Sequence, residues 1–466
     1  MASAVKRDLH DNMEIEDLRR ADSAQQVDDI EKAKEHSSFE ADAVGYKEYR
    51  EGLHMVISKK ENSKIRWKID LVILPIFLTT QALQFMDKTA LNYANLFDYQ
   101  TTLGLEGQQF NYLSAMVYAG YFFGQYPSGW LIGRFPAQRV LAVSIFLWGL
   151  MVIILTQCRT YSSALAVRFI MGLFEATVTP GLTLMTGFWY TRQEIPLRQC
   201  IWYSSLGWGG IIGSYISFGI AKLPADFTPA RWELIFYILG SATCLWAFVV
   251  FFALPDSPSS AFFLSKTERL LAVKRVAGNE TGIKNKTFNK KQGLVAFVDP
   301  KAILLFVSVF AAAIPNGSVG DAVQIVALII GGIITLNVPS SRLLTATAAN
   351  ILLGFTVSLV TVSSNMAGYT HRAMANAMVF TAYCWGNFAG PFVVKASQAP
   401  EYKGATIGLL VGYLIKAVCH LGLLGYMFAV NRYRDSHYGP PDKAQSDEAG
   451  MRDCTEFENK DFRYVL

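Results

Sequence analysis

The chain has 466 residues, of which 52% are hydrophobic and 17% charged, with a formal net charge of +5. The charges crowd into the two ends and one central stretch, while the rest falls into apolar blocks of about 20 residues, the length that spans hydrocarbon. That pattern excludes a soluble globular domain and points away from nucleic acid. The six cysteines, Cys158, Cys200, Cys244, Cys384, Cys419 and Cys454, include no CxxC pair, so neither a metal site nor a disulfide framework is expected.

Residues 1–68 are polar, mixed in charge and free of an apolar run that could act as a signal peptide; they read as a disordered cytosolic tail, with targeting left to the first span. Six spans follow, at 69–93, 110–132, 140–157, 162–188, 201–223 and 234–254, forming an amino-terminal bundle over 69–254. The stretch 255–299 carries Lys266, Arg269, Lys274, Arg275, Lys284, Lys286, Lys290 and Lys291 and reads as a cytosolic loop between two bundles. Lys and Arg accumulate in every even-numbered loop and ahead of the first span, which puts the amino terminus in the cytosol. The sequons at Asn279 and Asn285 then escape glycosylation.

The second half, 300–430, is less regular, with apolar blocks at 300–314, 322–338, 343–362, 373–394 and 404–430 and a cytosolic tail from 431 to 466. Arg342 and the pair His371 and Arg372 both read as cytosolic, yet the residues between them suffice for one crossing, where returning to the same side needs roughly 40. Either this block is re-entrant or a helix is missing. The fold class is an all-α polytopic membrane protein with six spans in the first bundle and about five recognisable in the second.

Polar residues recur on single helix faces. The second span aligns Asn111, Ser114, Tyr118 and Gln125, and the fourth aligns Arg168, Gly172, Glu175 and Thr179. Later spans repeat the pattern with Ser358, Thr361 and Asn365, then with Asn376, Tyr383 and Asn387. Such stripes line a central cavity or serve as interhelical hydrogen-bond partners, and the small residues Gly207, Gly209, Gly210 and Gly213 suit close helix packing. A charge at the bilayer centre costs about 3 kcal/mol, so Arg168 and Glu175 need a reason to be there. They stand about 10.5 Å apart along the axis, far for a direct ion pair, so each is expected to meet another helix or the cargo. Asp87 and Lys88 close the first span; Lys88 either supplies positive charge to an anion or snorkels to the interface. His420 is the one histidine within a span and has no companion at ligand spacing. GxSxG, HExxH and phosphate-binding Gly-rich motifs are absent, so no enzyme is expected.

The segment RFIMGLFEATVTPG at 168–181, followed by WYTRQEIPLR at 189–198, resembles the fourth span and following loop of the anion:cation symporters in the major facilitator superfamily. LPDSPSSAFFLSKTER at 254–269, GNETGIKNKTFNKKQ at 278–292 and SSNMAGYTHRAMANAMVFTAYCWGNFAGP at 363–391 resemble the central loop and eleventh helix of the fungal allantoate permease branch. The resemblance implies a two-bundle transporter in the plasma membrane, acting as a monomer, that imports a small organic anion such as allantoate, ureidosuccinate, nicotinate or a related carboxylate. No cofactor is implied beyond the proton as coupling ion. Arg168 would assist anion binding and Glu175 proton coupling.

The chain departs from the family pattern in three places. Asp87-Lys88 replaces the frequent Asp-Arg, which keeps the charge but loses the planar fork. The loop 129–139 lacks the acidic residue of the wider superfamily motif. Finally, IPNG at 314–317 runs almost directly into 320–332, and 341–350 passes straight into a later span, as though two segments of roughly 20 to 30 residues were absent. Two alternatives therefore stand beside the transporter: a truncated or mis-spliced member that does not transport, and a nutrient sensor, which would require structured tails that the polar ends do not announce.

Overall fold

The computed structural model describes residues 43–282, 284–314, 350–393 and 403–466. The apolar block 322–338, Arg342, the apparent junction near Gly317, the segment 341–349 that leads to the second one at Asn350, and the first part of the amino-terminal tail lie outside the described residues.

From residue 43 the amino-terminal segment is ordered, contrary to the expected disordered tail 1–68. Strand β1 (Ala43–Val44) leads into helix α1 (Tyr46–Gly52), which buries Tyr46 and Tyr49. Helix α2 (Lys59–Asn95) then starts well before residue 69, because Ser58 and Glu61 form a reciprocal capping box: Glu61 N–H donates to Ser58 Oγ at 3.2 Å, and Ser58 N–H to Glu61 Oε2 at 3.0 Å. At 1.5 Å per residue α2 extends well past a hydrocarbon core of about 30 Å.

Helices α3 (Tyr99–Leu103), α4 (Gln109–Arg134), α5 (Ala137–Leu155), α6 (Tyr161–Glu175), α7 (Val178–Trp189), α8 (Ile195–Tyr203), α9 (Ser205–Ala221) and α10 (Arg231–Ala253) complete the first bundle. The expected fourth span is α6 and α7 in succession. Pro180 has no N–H for the Ala176 carbonyl, and its ring crowds that group, so the helical hydrogen-bond ladder is interrupted at 176–177, directly after Glu175, while both residues keep αR dihedrals. Gly120 on α4 and Gly172 on α6 allow these helices to touch backbone to backbone; a Cβ at Gly120 would collide with the Phe169 carbonyl, and one at Gly172 with that of Val117. Gly209 likewise lets α9 lie against the Ala82 carbonyl of α2.

The central stretch is a folded body rather than a solvated loop. It contains α11 (Lys266–Ala277), β2 (Lys284–Asn285, antiparallel to β1) and α12 (Lys290–Val298). It is bolted to the first bundle: Arg275 pairs with Glu194 at 2.5 Å, Lys68 with Glu268 at 2.8 Å, and Asn279 accepts from the Arg192 N–H and donates to the Tyr190 carbonyl. Arg275, Lys284 and both sequon asparagines are buried in it.

Helix α13 (Pro300–Ala313) is bent by 58° from α12, with Pro300 at its first position. Helices α14 (Asn350–Asn365), α15 (Tyr369–Val393) and α16 (Lys403–Tyr438) make up the rest of the described second bundle. His371 and Arg372, read above as loop charges, are buried in the first turn of α15. The carboxyl-terminal segment is packed as well, with α17 (Lys443–Met451) and the chain beyond it burying Glu456, Phe462 and Tyr464.

Among the described residues, five helices are long and apolar enough to cross a membrane, or up to six if the bent pair counts as one. Helices α4 and α15 are long enough but too polar to join that set. They are also the pair that makes the main contact between the two bundles, so their polar faces turn toward protein rather than lipid.

Candidate functional site

A narrow polar cavity with room for about one water, about 20 Å³, lies between the bundles. Helix α2 contributes Gln81, Gln84, Phe85 and Lys88, α4 contributes Tyr121 and Gln125, and the α6–α7 junction contributes Glu175, Ala176, Thr179 and Pro180. Tyr203 and Leu206 close one wall, and Phe355, Phe380 and Tyr383 bring in the second bundle.

The helix lapse before Pro180 sets the chemistry here, because it leaves Glu175 as the last residue of α6 with its side chain in the cavity. Lys88 Nζ stands 3.8 Å from Glu175 Oε1, with Glu175 fully buried and Lys88 18% exposed. The ammonium also lies over the rings of Tyr121 at 5.0 Å and Tyr383 at 5.7 Å, so it is held by π-faces as well as by charge. The Tyr121 hydroxyl stands beside the Glu175 carboxylate without close hydrogen-bond geometry, and neither amide atom of buried Gln125 has a partner among the described residues. Buried polar atoms without partners are costly, and those of Gln125 are available to a ligand. Next to them runs a satisfied chain: Thr179 Oγ1 donates within reach of Gln84 Oε1 at 2.7 Å and Gln81 Oε1 at 3.1 Å, and Gln84 Nε2 donates to Tyr121 Oη at 3.2 Å.

Of the residues singled out from sequence, Lys88, Glu175, Thr179, Gln125 and Tyr383 line the cavity. Tyr118 stands at its margin, in edge contact with Tyr121 and Tyr383. Arg168 does not line it and forms no ion pair among the described residues; it is buried behind the wall with its charge acting on Asp87 and Tyr99. Asp87 is buried too, accepting from Trp148 Nε1 at 3.1 Å while its second oxygen stays unpartnered. Asn111 bonds Gln108 at 2.5 Å near the start of α4, away from the cavity. Asn376 donates to the Pro180 carbonyl at 3.1 Å, an inter-bundle contact, and Asn387 donates back to Tyr383 in its own helix. Gln81, Gln84 and Tyr121 were not singled out, although Gln81, Gln84 and Lys88 recur at three- and four-residue spacing on one face of α2.

A model of the Major Facilitator Superfamily matches residues 77–319. An uncharacterized transporter of Schizosaccharomyces pombe is 30% identical over 486 aligned residues, covering 93% of this chain and 90% of its own. The allantoate permease of Saccharomyces cerevisiae is 28% identical over 89% of each chain. The structure of the proton:xylose symporter XylE with bound 6-bromo-6-deoxy-D-glucose superposes with a TM-score of 0.59 at 14% identity, over 79% of this chain and 96% of its own, a likeness of fold alone. The alignment to the S. pombe protein is longer than this chain of 466 residues while using 93% of it, so the relative carries internal residues that this chain lacks.

Proposed function

The chain belongs to the Major Facilitator Superfamily and is a membrane transporter rather than an enzyme, and on that premise we propose that it imports a small organic anion together with a proton. The observation that carries this reading is Lys88 facing the fully buried Glu175 at the cavity wall, with the Tyr121 hydroxyl as the carboxylate's polar neighbour besides the ammonium. As an ion pair the two groups are neutral together, which a low-dielectric site favours. A proton on Glu175 leaves Lys88 uncompensated, and a carboxylate on the cargo restores neutrality. Proton and anion therefore enter as a set, because either alone leaves net charge at the midplane.

Lys88 is the cation that meets the anion in this scheme, and Glu175 takes the proton. Gln125, Gln84 and Tyr121 supply hydrogen bonds, and the aromatic wall excludes water. Arg168 acts through Asp87, which adjoins Lys88 in sequence, by fixing the rotation of α2. The similarity to a protein named allantoate permease supports allantoate, ureidosuccinate, nicotinate or a related carboxylate as cargo. The basic face, carrying the central body and both tails, is read as cytosolic in the plasma membrane. Competition of a panel of carboxylates against labelled allantoate uptake tests this reading; absence of saturable uptake of any member would sink it.

One observation favours a second reading. The internal residues that the S. pombe relative has and this chain lacks are consistent with a second bundle short of helix, which could not close its wall. Sequencing the transcript across the codons for Gly317 and Asn350 separates the two: additional apolar coding sequence there restores the transporter, and continuous message as given favours the non-transporting form.

A further inference from the structure

On the basic face, the carboxyl-terminal segment is inserted between two bodies that also meet directly, through the Asn289 N–H to Thr370 Oγ1 and the Tyr369 hydroxyl to the Gly129 carbonyl. On one side is the second bundle. Glu456, fully buried, pairs with Lys301 at 2.9 Å and with His371 at 3.4 Å, and accepts the Ala367 N–H at 2.9 Å. Lys301 also pairs with Asp299 at 3.0 Å, so its ammonium bridges the two carboxylates. Asn365 exchanges two hydrogen bonds with the Val465 backbone, and Arg434 of α16 holds the Glu456 and Phe462 carbonyls at 2.6 Å each.

On the other side is the central body, bolted to the first bundle. Asp453 accepts from Asn285 Nδ2 at 2.9 Å, its carbonyl accepts from Gln292 Nε2 at 2.7 Å, and Gly450 lies against the Glu280 backbone. From the first bundle itself, Arg192 stacks on the Phe462 ring at 4.3 Å and donates to the Ser364 carbonyl at 2.7 Å. The tail is thus bonded to both halves of the molecule at once.

We propose that residues 439–466 form a latch that holds the two bundles together on the basic face, with Glu456 as its plug in the Lys301–His371 pocket. The bundles separate there only when Glu456 withdraws. A buried ion pair adds little stability over apolar packing, but removing one partner is strongly destabilising; such a cluster suits a two-position element better than a static one. The cost of exposing Lys301 and His371 in the open state sets the population of that state. This inference rests on the transporter reading for its role in transport, and on geometry alone for the latch itself.

The test uses the full chain in inside-out vesicles, with native cysteines replaced by alanine and Thr183→Cys as reporter. Thr183 is fully buried where α7 meets α14, its carbonyl 3.4 Å from Ser363 Oγ, so a membrane-impermeant maleimide reaches it only when the bundles part. Glu456→Gln is expected to raise its labelling rate about tenfold or more. A disulfide between Asn365→Cys and Val465→Cys is expected to suppress labelling until reductant is added. Labelling unaffected by Glu456→Gln and equal in the oxidised and reduced staple overturns the latch. If Glu456→Gln fails to fold, the staple decides alone, equal labelling again overturning the proposal. No solute or proton gradient enters the assay, so failure of the latch and failure of the transport reading are distinguishable.

Discussion

Lys88 and Glu175 lie on different helices, 3.8 Å apart, with the carboxylate fully buried. This makes Lys88 the cation a bound anion must reach. Lys88→Ala is expected to reduce uptake at low substrate by about tenfold or more, as loss of a charge-assisted contact of about 1.5–3 kcal/mol implies. Lys88→Arg should retain a substantial part of it. Arg168→Ala is expected to lower the maximal rate more than it raises the KM, because Arg168 stands behind the wall. Initial-rate kinetics on the three variants check the split.

Glu175→Gln removes the titrating group while keeping the shape of the side chain. Net uptake should lose its dependence on external pH, while exchange of internal for external anion continues. Paired measurements of net uptake and counterflow at two external pH values test this; a variant that keeps the acid stimulation would clear Glu175 of the coupling role.

The α4–α6 crossing depends on absent side chains. Gly120→Val drives a branched side chain into the Phe169 carbonyl, and overpacking of this kind costs about 1–3 kcal/mol, occasionally more. The expected result is a lower melting temperature and less monodisperse protein on size exclusion in detergent, with Gly120→Ala milder than Gly120→Val.

Acidity on the basic face should tighten the tail. Burial pushes Asp453 up to about 6, against the opposing pull of the Tyr369 N–H, Asn285 and the Arg372 charge, with Glu458 adding to the rise. An undocked tail returns the group toward its ordinary value of 3.8. The docked state therefore binds the proton more tightly, and docking gains as pH falls through 6 and loses that gain as pH rises through 6. Glu456 behaves oppositely. Burial favours its neutral form, but the Lys301 ammonium and His371 hold it well below its ordinary 4.5, so its contribution persists until far more acid conditions. A spin label at Lys460→Cys should become less mobile between pH 7 and 5, and constant or rising mobility would contradict this.

The apolar blocks of the first half carried their helices in plain view, and the Pro180 break could be placed from local rules. Which helix meets which could not, because partner choice depends on distant residues: nothing near Glu175 in sequence specifies Lys88, and the spacing of Arg168 and Glu175 drew attention to a residue that lies behind the cavity. Gln81 and Gln84 were legible as a polar face continuing to Lys88 but were overshadowed by the charges. The tail was the largest surprise. Its apolar residues, among them Met451, Phe457, Phe462 and Tyr464, are scattered among charges, and its ordering comes from Glu456 meeting Lys301 and His371 across the fold.

The central claim is that proton and anion enter together through the Lys88–Glu175 site. In proteoliposomes with neutral interior, labelled allantoate uptake is followed with the exterior at pH 5 and at pH 7, for the wild type and for Glu175→Gln. The account predicts uptake above internal concentration at pH 5 in the wild type, collapsed by a protonophore, and no accumulation in Glu175→Gln. Accumulation that is indifferent to the proton gradient, or that survives Glu175→Gln unchanged, would contradict it.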